Sequence, residues 1–192
     1  AGSVKFNPIN QSGRGAVMEK DGELLSYNEV LELKKLVLGD LQLRTPLSLF
    51  IMVPPALMTT TEILNRPFAF GTCKILNILG ILGSGELALC GIGRNISELC
   101  FGKLGKDSIR SVWLNHSVLK SIREVVNEDR FPGVCGNCIH SHECLMHCMA
   151  QNYQEFKKLI HPANLCLIAL KNGDFPITRL RDMDNIPDGK DL

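Results

Sequence analysis

The sequence lacks a membrane-spanning run, a secretory leader and an excess of either charge. No stretch of about 18 apolar residues occurs, and the longest one, residues 47–57, is broken by Pro54 and Pro55. The first six residues show no basic patch followed by an apolar run and a small-residue cleavage site. Lys and Arg number 21 against 20 Asp and Glu, so the overall charge indicates neither nucleic-acid binding nor disorder. We therefore expect a cytoplasmic protein that binds neither membrane nor nucleic acid.

Cysteine is the residue type that stands out. The chain of 192 residues has eight cysteines, which in a secreted protein would suggest four disulfides. Such frameworks usually stabilise domains too small to hold a hydrophobic core. This chain is 45% hydrophobic and long enough for one domain and a small second unit. Ligation of a metal or a cluster is therefore the preferred interpretation of the cysteines.

Residues 1–67 predict a strand–helix–strand unit. Residues 4–9 indicate a short strand that runs into a loop, and residues 47–53 indicate a buried strand ended by two prolines. A β-α-β piece of this size has few partners for its sheet edges. It is therefore expected to be a fragment of a larger α/β layer.

The helix of this unit carries clear start and stop signals. Ser26 and Glu29 fit a capping box, and the apolar residues that follow recur on one helical face. The pattern predicts a helix over about 27–38 that stops at Gly39.

Residues 68–180 differ in character from the first part. Two apolar runs, 74–82 and 86–90, are joined by Gly-Ser-Gly and predict a β-hairpin. Residues 108–126 repeat apolar side chains at helical spacing and predict one or two helices. Residues 181–192 form a polar tail. The expected fold class is α+β, with a domain boundary near residue 68.

A dense run of cysteines has the spacing C-x2-C-x5-C-x3-C and consists of Cys135, Cys138, Cys144 and Cys148. A C-x2-C pair places two thiolates on one tight turn, and four thiolates complete the shell of a zinc ion or an iron–sulfur cluster. Taken alone, the run favours a structural zinc knuckle, with or without His140, His142 or His147. That interpretation leaves three further cysteines unexplained: Cys73, Cys90 and Cys166.

The full layout, C-x11-G-x4-C, then C-x2-C-x5-C-x3-C, then a distant cysteine, resembles the SPASM domain. That domain is a seven-cysteine extension at the C-terminus of many radical SAM enzymes. All seven ligand positions match over about residues 70–180. The first 67 residues more loosely resemble the closing strands and helix of the radical SAM partial barrel. The resemblance implies a C-terminal barrel piece followed by a SPASM domain made of a β-hairpin, helices and cysteine-bearing loops.

The resemblance also implies two auxiliary [4Fe–4S] clusters with crossed ligands. Cys73, Cys90 and Cys148 would hold the first cluster. The second would be held by Cys135, Cys138, Cys144 and Cys166. No cysteine precedes Cys73, so the first cluster would have three thiolates and an open iron, filled by water, a substrate group or a non-cysteine ligand. Cys100 falls outside the pattern and is expected to be a buried apolar residue.

We expect a short helix that starts near Cys144 to separate the two cysteines of the C-x3-C pair. Such a helix would place Cys144 and Cys148 along one face, about 6 Å apart at Cα. That spacing suits two neighbouring sites better than one iron.

The sequence lacks the C-x3-C-x2-C motif that binds the cluster and S-adenosylmethionine in radical SAM enzymes. The only C-x3-C pair ends at Cys148, and Gln151 stands where a third cysteine would be needed. The chain therefore looks like part of a larger oxidoreductase and is not expected to be catalytic alone, and its catalytic residues stay unassigned. S-adenosylmethionine would belong to the missing N-terminal core.

By resemblance, the parent enzyme would modify a peptide or protein, typically in the maturation of a ribosomally made peptide. This chain would serve electron transfer and substrate docking. Its expected partners are the substrate, the N-terminal radical SAM core and a reductant such as flavodoxin or ferredoxin. The alternative is a zinc-stabilised cysteine-rich binding module without redox chemistry.

Overall fold

The computed structural model describes residues 2–9, 13–65 and 73–184 and has a mixed α+β architecture. The helices are α1 (Gly15–Lys20), α2 (Tyr27–Leu36), α3 (Thr60–Asn65), α4 (Ile109–Asn115), α5 (Ser117–Asn127), α6 (Ser141–Cys144), α7 (Met149–Phe156) and α8 (Asn164–Asn172). The strands are β1 (Ser3–Phe6), β2 (Ser48–Ile51), β3 (Gly80–Ile81), β4 (Glu86–Ala88) and β5 (Cys100–Lys103). The expected fold class is confirmed at this level.

The first unit is a parallel strand pair with helices in the crossover. Strand β1 pairs with β2 in a register that runs from Ser3 opposite Ser48 to Phe6 opposite Ile51. Helices α1 and α2 lie between the two strands in sequence. Within the described residues these two strands pair only with each other, so both outer edges of the sheet are unpaired. The two predicted strands and the predicted helix are present in that order, and α1 is an additional helix that the sequence analysis did not predict.

Helix α2 starts where the sequence predicts but does not stop there. Ser26 Oγ accepts a hydrogen bond from the Glu29 N–H, and Glu29 Oε2 accepts one from the Ser26 N–H at 2.7 Å. The predicted stop at Gly39 is wrong, because the chain continues as a π-helical turn over Val37–Leu41. Val37 and Leu38 are buried in the core of this unit. Their burial keeps the backbone helical past the glycine.

The second unit contains the predicted hairpin. Strands β3 and β4 pair antiparallel, and Gly85 in the turn has φ +83°, which favours glycine. The strands are shorter than the apolar runs that predicted them. A third strand, β5, pairs with β4 and was not predicted. Residues 108–126 form two helices, α4 and α5, and the N–H of His116 caps α4 at Val112 O.

The described C-terminal residues pair with the C-x2-C loop. The Ile139 N–H donates to Arg179 O at 2.9 Å, and the Arg181 N–H donates to Asn137 O at 2.7 Å. Between these two bonds, Cys138 and Leu180 form an antiparallel bridge. The chain after α8 therefore holds the loop that carries Cys135 and Cys138.

Two hydrophobic cores lie side by side. The first is formed by α2, β2 and the residues after it: Val30, Val37, Leu38, Leu49, Ile51, Val53 and Met58. The second, larger core includes β4, α5 and the helices around the cysteines. Tyr27, Ala56 and Leu57 come from the first unit but are buried in the second core, and Leu165 packs against both cores. The first unit is thus packed onto the cysteine-bearing one.

Two parts of the expected domain organisation fall outside the described residues. The boundary predicted near residue 68 lies in the stretch 66–72, and most of the predicted tail lies in 185–192. No helix within the described part of the chain has the length and apolar character needed to cross a bilayer.

Candidate iron–sulfur cluster sites

The seven cysteines of the pattern fall into two spatial groups. Cys166 lies close enough to Cys144, Cys135 and Cys138 for a thiolate at any of them to raise its pKa. We call these four the four-thiol set. Cys148 interacts with Cys73 and Cys90 instead of with its neighbours in the dense run, and we call these the three-thiol set. Adjacent cysteines in sequence therefore belong to different groups in space. All eight cysteines are free thiols.

The C-x2-C loop of the four-thiol set is built around a glycine. A Cβ atom at Gly136 would lie 2.7 Å from the backbone oxygen of Phe131, which is closer than any side chain allows. Cys135 ends a 3₁₀ turn over Gly133–Cys135, and the Cys138 N–H donates back to Cys135 O at 3.3 Å. The absence of a side chain at Gly136 therefore lets the C-x2-C loop pass this close to Phe131.

Burial dominates the acidity of the four-thiol set. Burial raises the pKa of Cys144 to about 12 and raises the pKa values of Cys135 and Cys166 above the ordinary range of a thiol. For Cys138, burial raises the pKa, while a hydrogen bond from the His140 N–H, 3.4 Å from Sγ, opposes the rise. Without a bound cation these four side chains are neutral thiols. A metal or cluster bound here must displace their protons.

The three-thiol set joins the hairpin sheet to α7. Cys90 follows β4, and its backbone lies so close to Gly80 that a Cβ there would be 3.0 Å from the Cys90 carbonyl carbon. Cys148 is the residue before α7, and burial raises its pKa to about 11. Backbone N–H groups of Gln151 and Ala150 oppose this rise by hydrogen bonding to the sulfur. Burial also raises the pKa of Cys73.

A left-handed turn separates the two groups. Leu145, Met146 and His147 have φ values of +50°, +58° and +66°, which non-glycine residues rarely adopt. Helix α6 ends at Cys144 and α7 begins after Cys148. The expected helix starting near Cys144 is therefore wrong. Three residues in the left-handed region separate the two cysteines. Two of them, Leu145 and Met146, are buried in the hydrophobic core.

The same turn supplies hydrogen-bond donors. The backbone N–H groups of His147 and Met146 lie near the Cys144 sulfur and lower its pKa against the effect of burial, and the His147 N–H is shared with the Cys144 carbonyl oxygen. Consecutive N–H groups arranged in this way form a concavity that suits an anion such as a thiolate. No residue type marks this turn in the sequence, since none of the three residues is glycine or asparagine.

A cavity of about 380 Å³ opens beside the three-thiol set. Lys5, Gln151, His147 and Cys148 contribute to its lining, together with Glu155. Burial lowers the pKa of His147 to about 4, so its imidazole is neutral at pH 7, and burial raises the pKa of Glu155. The cavity is large enough for a small ligand or a few residues of a peptide. It is formed between the first unit and α7 and α8.

Cys100 and the histidines lie apart from these groups or on their margins. Cys100 begins β5 and is half-buried, so the expectation of a buried residue is met only in part. His142 is exposed and lies 3.0 Å from the Asp129 carboxylate. Within residues 2–9, 13–65 and 73–184, no three cysteine, histidine or carboxylate side chains are arranged to hold one metal ion. The thiols of each set therefore lie farther apart than the ligands of a single bound metal ion would.

Comparisons with other proteins return nothing: no protein-family model, curated protein or solved structure matches this chain.

Proposed function

We propose that this chain is the auxiliary-cluster module of a radical SAM enzyme with a SPASM-type C-terminal domain, acting on a peptide or protein. The observation that carries the proposal is the division of seven thiols into a set of four and a set of three. The division crosses the sequence order, since Cys148 leaves the dense run and Cys166 joins it. These are the same two sets that the SPASM resemblance assigns to two [4Fe–4S] clusters.

The donor chemistry fits iron–sulfur clusters. The cysteines of both sets are buried or half-buried free thiols, and soft thiolate ligands favour iron–sulfur clusters and zinc over harder cations. Backbone N–H groups hydrogen bond to Cys138, Cys144 and Cys148, and such bonds orient ligating sulfurs and tune their basicity. When bound, a [4Fe–4S] cluster supplies one-electron transfer at a potential set by charge, hydrogen bonds and burial.

The residues of this chain would have three tasks. The four-thiol set lies in the large core and would hold a cluster away from solvent. The three-thiol set lies beside the cavity at Cys148 and would leave one ligand position unfilled by cysteine. Lys5, Gln151 and Glu155 in that cavity would bind the substrate through charge and hydrogen bonds. A barrel piece with two unpaired sheet edges would join the N-terminal core.

Iron and sulfide analysis after anaerobic reconstitution tests this function. We expect about eight irons and eight sulfides per chain, a brown colour and absorption near 400 nm, as two four-iron clusters require. Zinc bound stoichiometrically in an anaerobic, iron-supplemented preparation, with no cluster formed, would overturn the proposal in favour of a zinc-stabilised binding module.

Paired variants show whether the iron is bound at these cysteines. Cys100→Ala is the matched control, because Cys100 belongs to neither thiol set. This substitution should leave the iron content unchanged. Cys135→Ala should lower it by about half, since one of two clusters loses a ligand. An equal loss in both variants would mean that the iron is bound nonspecifically.

A further inference from the structure

Unpartnered polar atoms occur on residues that neighbour the four-thiol set. Within the described residues, four buried side-chain nitrogen or oxygen atoms have no hydrogen-bond partner: Tyr27 Oη, His116 Nδ1, His140 Nε2 and Arg179 Nε. Three of these four belong to residues around the four-thiol set. Tyr27 lies near Cys166, the backbone N–H of His140 donates to Cys138 Sγ, and Arg179 lies near Cys138. Buried polar groups are rarely left unpaired without a reason.

Arg179 is a buried cation without a carboxylate partner. Its side chain is 9% exposed, and Nη2 donates to Met58 O at 2.9 Å and to Thr60 Oγ1 at 3.2 Å. No carboxylate lies within 4 Å of its guanidinium in the described part of the chain. A buried guanidinium needs an anion nearby to offset the loss of hydration. The thiol of Cys138, once ionised, is the neighbouring group that can become that anion.

Tyr27 approaches the same set from the first unit. It is 8% exposed and sits at the start of α2, with its ring in the core that surrounds the cysteines. A phenol hydroxyl usually finds an acceptor when buried, yet the described part of the chain offers none to Tyr27 Oη. Burial, followed by the nearby Asp174 and Cys166, raises its pKa, so the hydroxyl keeps its proton and remains a donor.

We infer that Tyr27, His140 and Arg179 form a donor shell for a negatively charged sulfur group held by Cys135, Cys138, Cys144 and Cys166. The three residues come from the start of α2, the N-terminal end of α6 and the segment after α8. Arg179 supplies the counter-charge, while Tyr27 and His140 supply neutral N–H or O–H donors. This inference rests on the proposed function, because it requires an anionic group at these thiols.

The test is a redox titration of the full chain in a Cys90→Ala background, where the cluster of the four-thiol set should be the remaining one. Removing a cation or a donor destabilises the more negative, reduced state. At a fixed applied potential, we expect Arg179→Gln to lower the ratio of reduced to oxidised cluster about tenfold. For a one-electron couple this corresponds to a fall in the reduction potential of about 59 mV. Arg179→Lys keeps the charge and should lower the ratio less. Tyr27→Phe, which removes only the hydroxyl, should lower it about threefold.

Two matched controls separate this role from general loss of packing. Tyr153→Phe and Arg123→Gln alter residues whose contacts, Glu98 and the Trp113 ring, lie outside the thiol sets. Both controls should leave the ratio unchanged. In a Cys166→Ala background, where only the three-thiol set remains complete, Tyr27→Phe should also have no effect.

The outcomes distinguish the inference from the function it rests on. If the parent chain assembles no cluster, the proposed function fails and the donor shell fails with it. If the clusters assemble and Tyr27→Phe and Arg179→Lys leave the ratio at the parental value, the donor shell is wrong and the function stands. Tyr27→Phe decides the matter even if Arg179→Gln does not fold, since it removes one atom from a ring that stays packed.

Discussion

The N–H of His147 donates to the carbonyl oxygen of Cys144 at 2.9 Å and closes the left-handed turn between the two thiol sets. Three consecutive non-glycine residues with positive φ are costly, at roughly 1 kcal/mol or more each. Such a conformation persists only where the surrounding structure holds it. Here the turn lies between α6 and α7, and Cys144 and Cys148 on its two sides have different cysteine neighbours.

A pair of substitutions at His147 tests whether the turn depends on this backbone geometry. Asn tolerates the left-handed region, whereas a β-branched Val does not. We expect His147→Val to be less stable than His147→Asn by about 1 kcal/mol, measured by denaturant unfolding. The Asn and Val side chains are similar in size, and both variants lose the imidazole. The loss of the imidazole therefore cancels in the comparison. Equal stability of the two variants would show that the positive φ of His147 does not affect the free energy of unfolding.

The crossed division of the cysteines predicts selective losses of cluster. Cys166→Ala removes a ligand from the four-thiol set and should abolish that cluster while sparing the other. Cys90→Ala should do the reverse. Spectra that resolve the two clusters, together with a fall in iron of about half in each variant, check the assignment. If Cys148→Ala behaves like Cys166→Ala and unlike Cys90→Ala, the division is wrong and the dense run is one site.

The buried ion pair of the first unit predicts a coupling between two of its helices. Lys34 Nζ lies 2.9 Å from Glu62 Oε2 and 2.9 Å from Leu57 O, and its side chain is 7% exposed against 20% for Glu62. Glu62→Gln leaves the ammonium without a counter-charge, and we expect a loss of about 2 kcal/mol. Lys34→Met should cost less, because the remaining carboxylate still accepts from the Thr59 N–H.

The double variant completes this test. Lys34→Met combined with Glu62→Gln should cost less than the sum of the two single changes, because the buried charge and its partner are removed together. Unfolding midpoints in denaturant give the three values. Strict additivity would mean that the two side chains do not interact in solution.

The elements that the sequence predicts well are those with local signals. The capping box at Ser26 fixes the start of α2, and the Gly-Ser-Gly turn at residues 83–85 predicts the hairpin. Both depend on residues close in the chain. Gly136 belongs to the same class, since a tight C-x2-C loop leaves no room for a side chain.

The features that the sequence did not predict depend on contacts between distant residues. Gly39 carries a stop signal, but the burial of Val37 and Leu38 continues the helix past it. The left-handed turn after Cys144 has no glycine to mark it. Arg179 in sequence is one basic residue near a polar tail. Its importance appears only when Met58 and Thr60, more than a hundred positions away, are seen to bind its guanidinium.

The missing core motif predicts that this chain alone does not cleave S-adenosylmethionine. Cleavage needs a cluster with an iron open to the amino and carboxyl groups of that cofactor, and Gln151 stands where the motif requires a third cysteine. The three-thiol set offers the only competing open iron in the proposal. We therefore expect no 5′-deoxyadenosine from the reconstituted chain with dithionite, and recovery when a radical SAM core polypeptide is added. Product formed by the chain alone, and lost in Cys73→Ala, would mean that the three-thiol set is itself the cleavage site. The module interpretation would then be wrong.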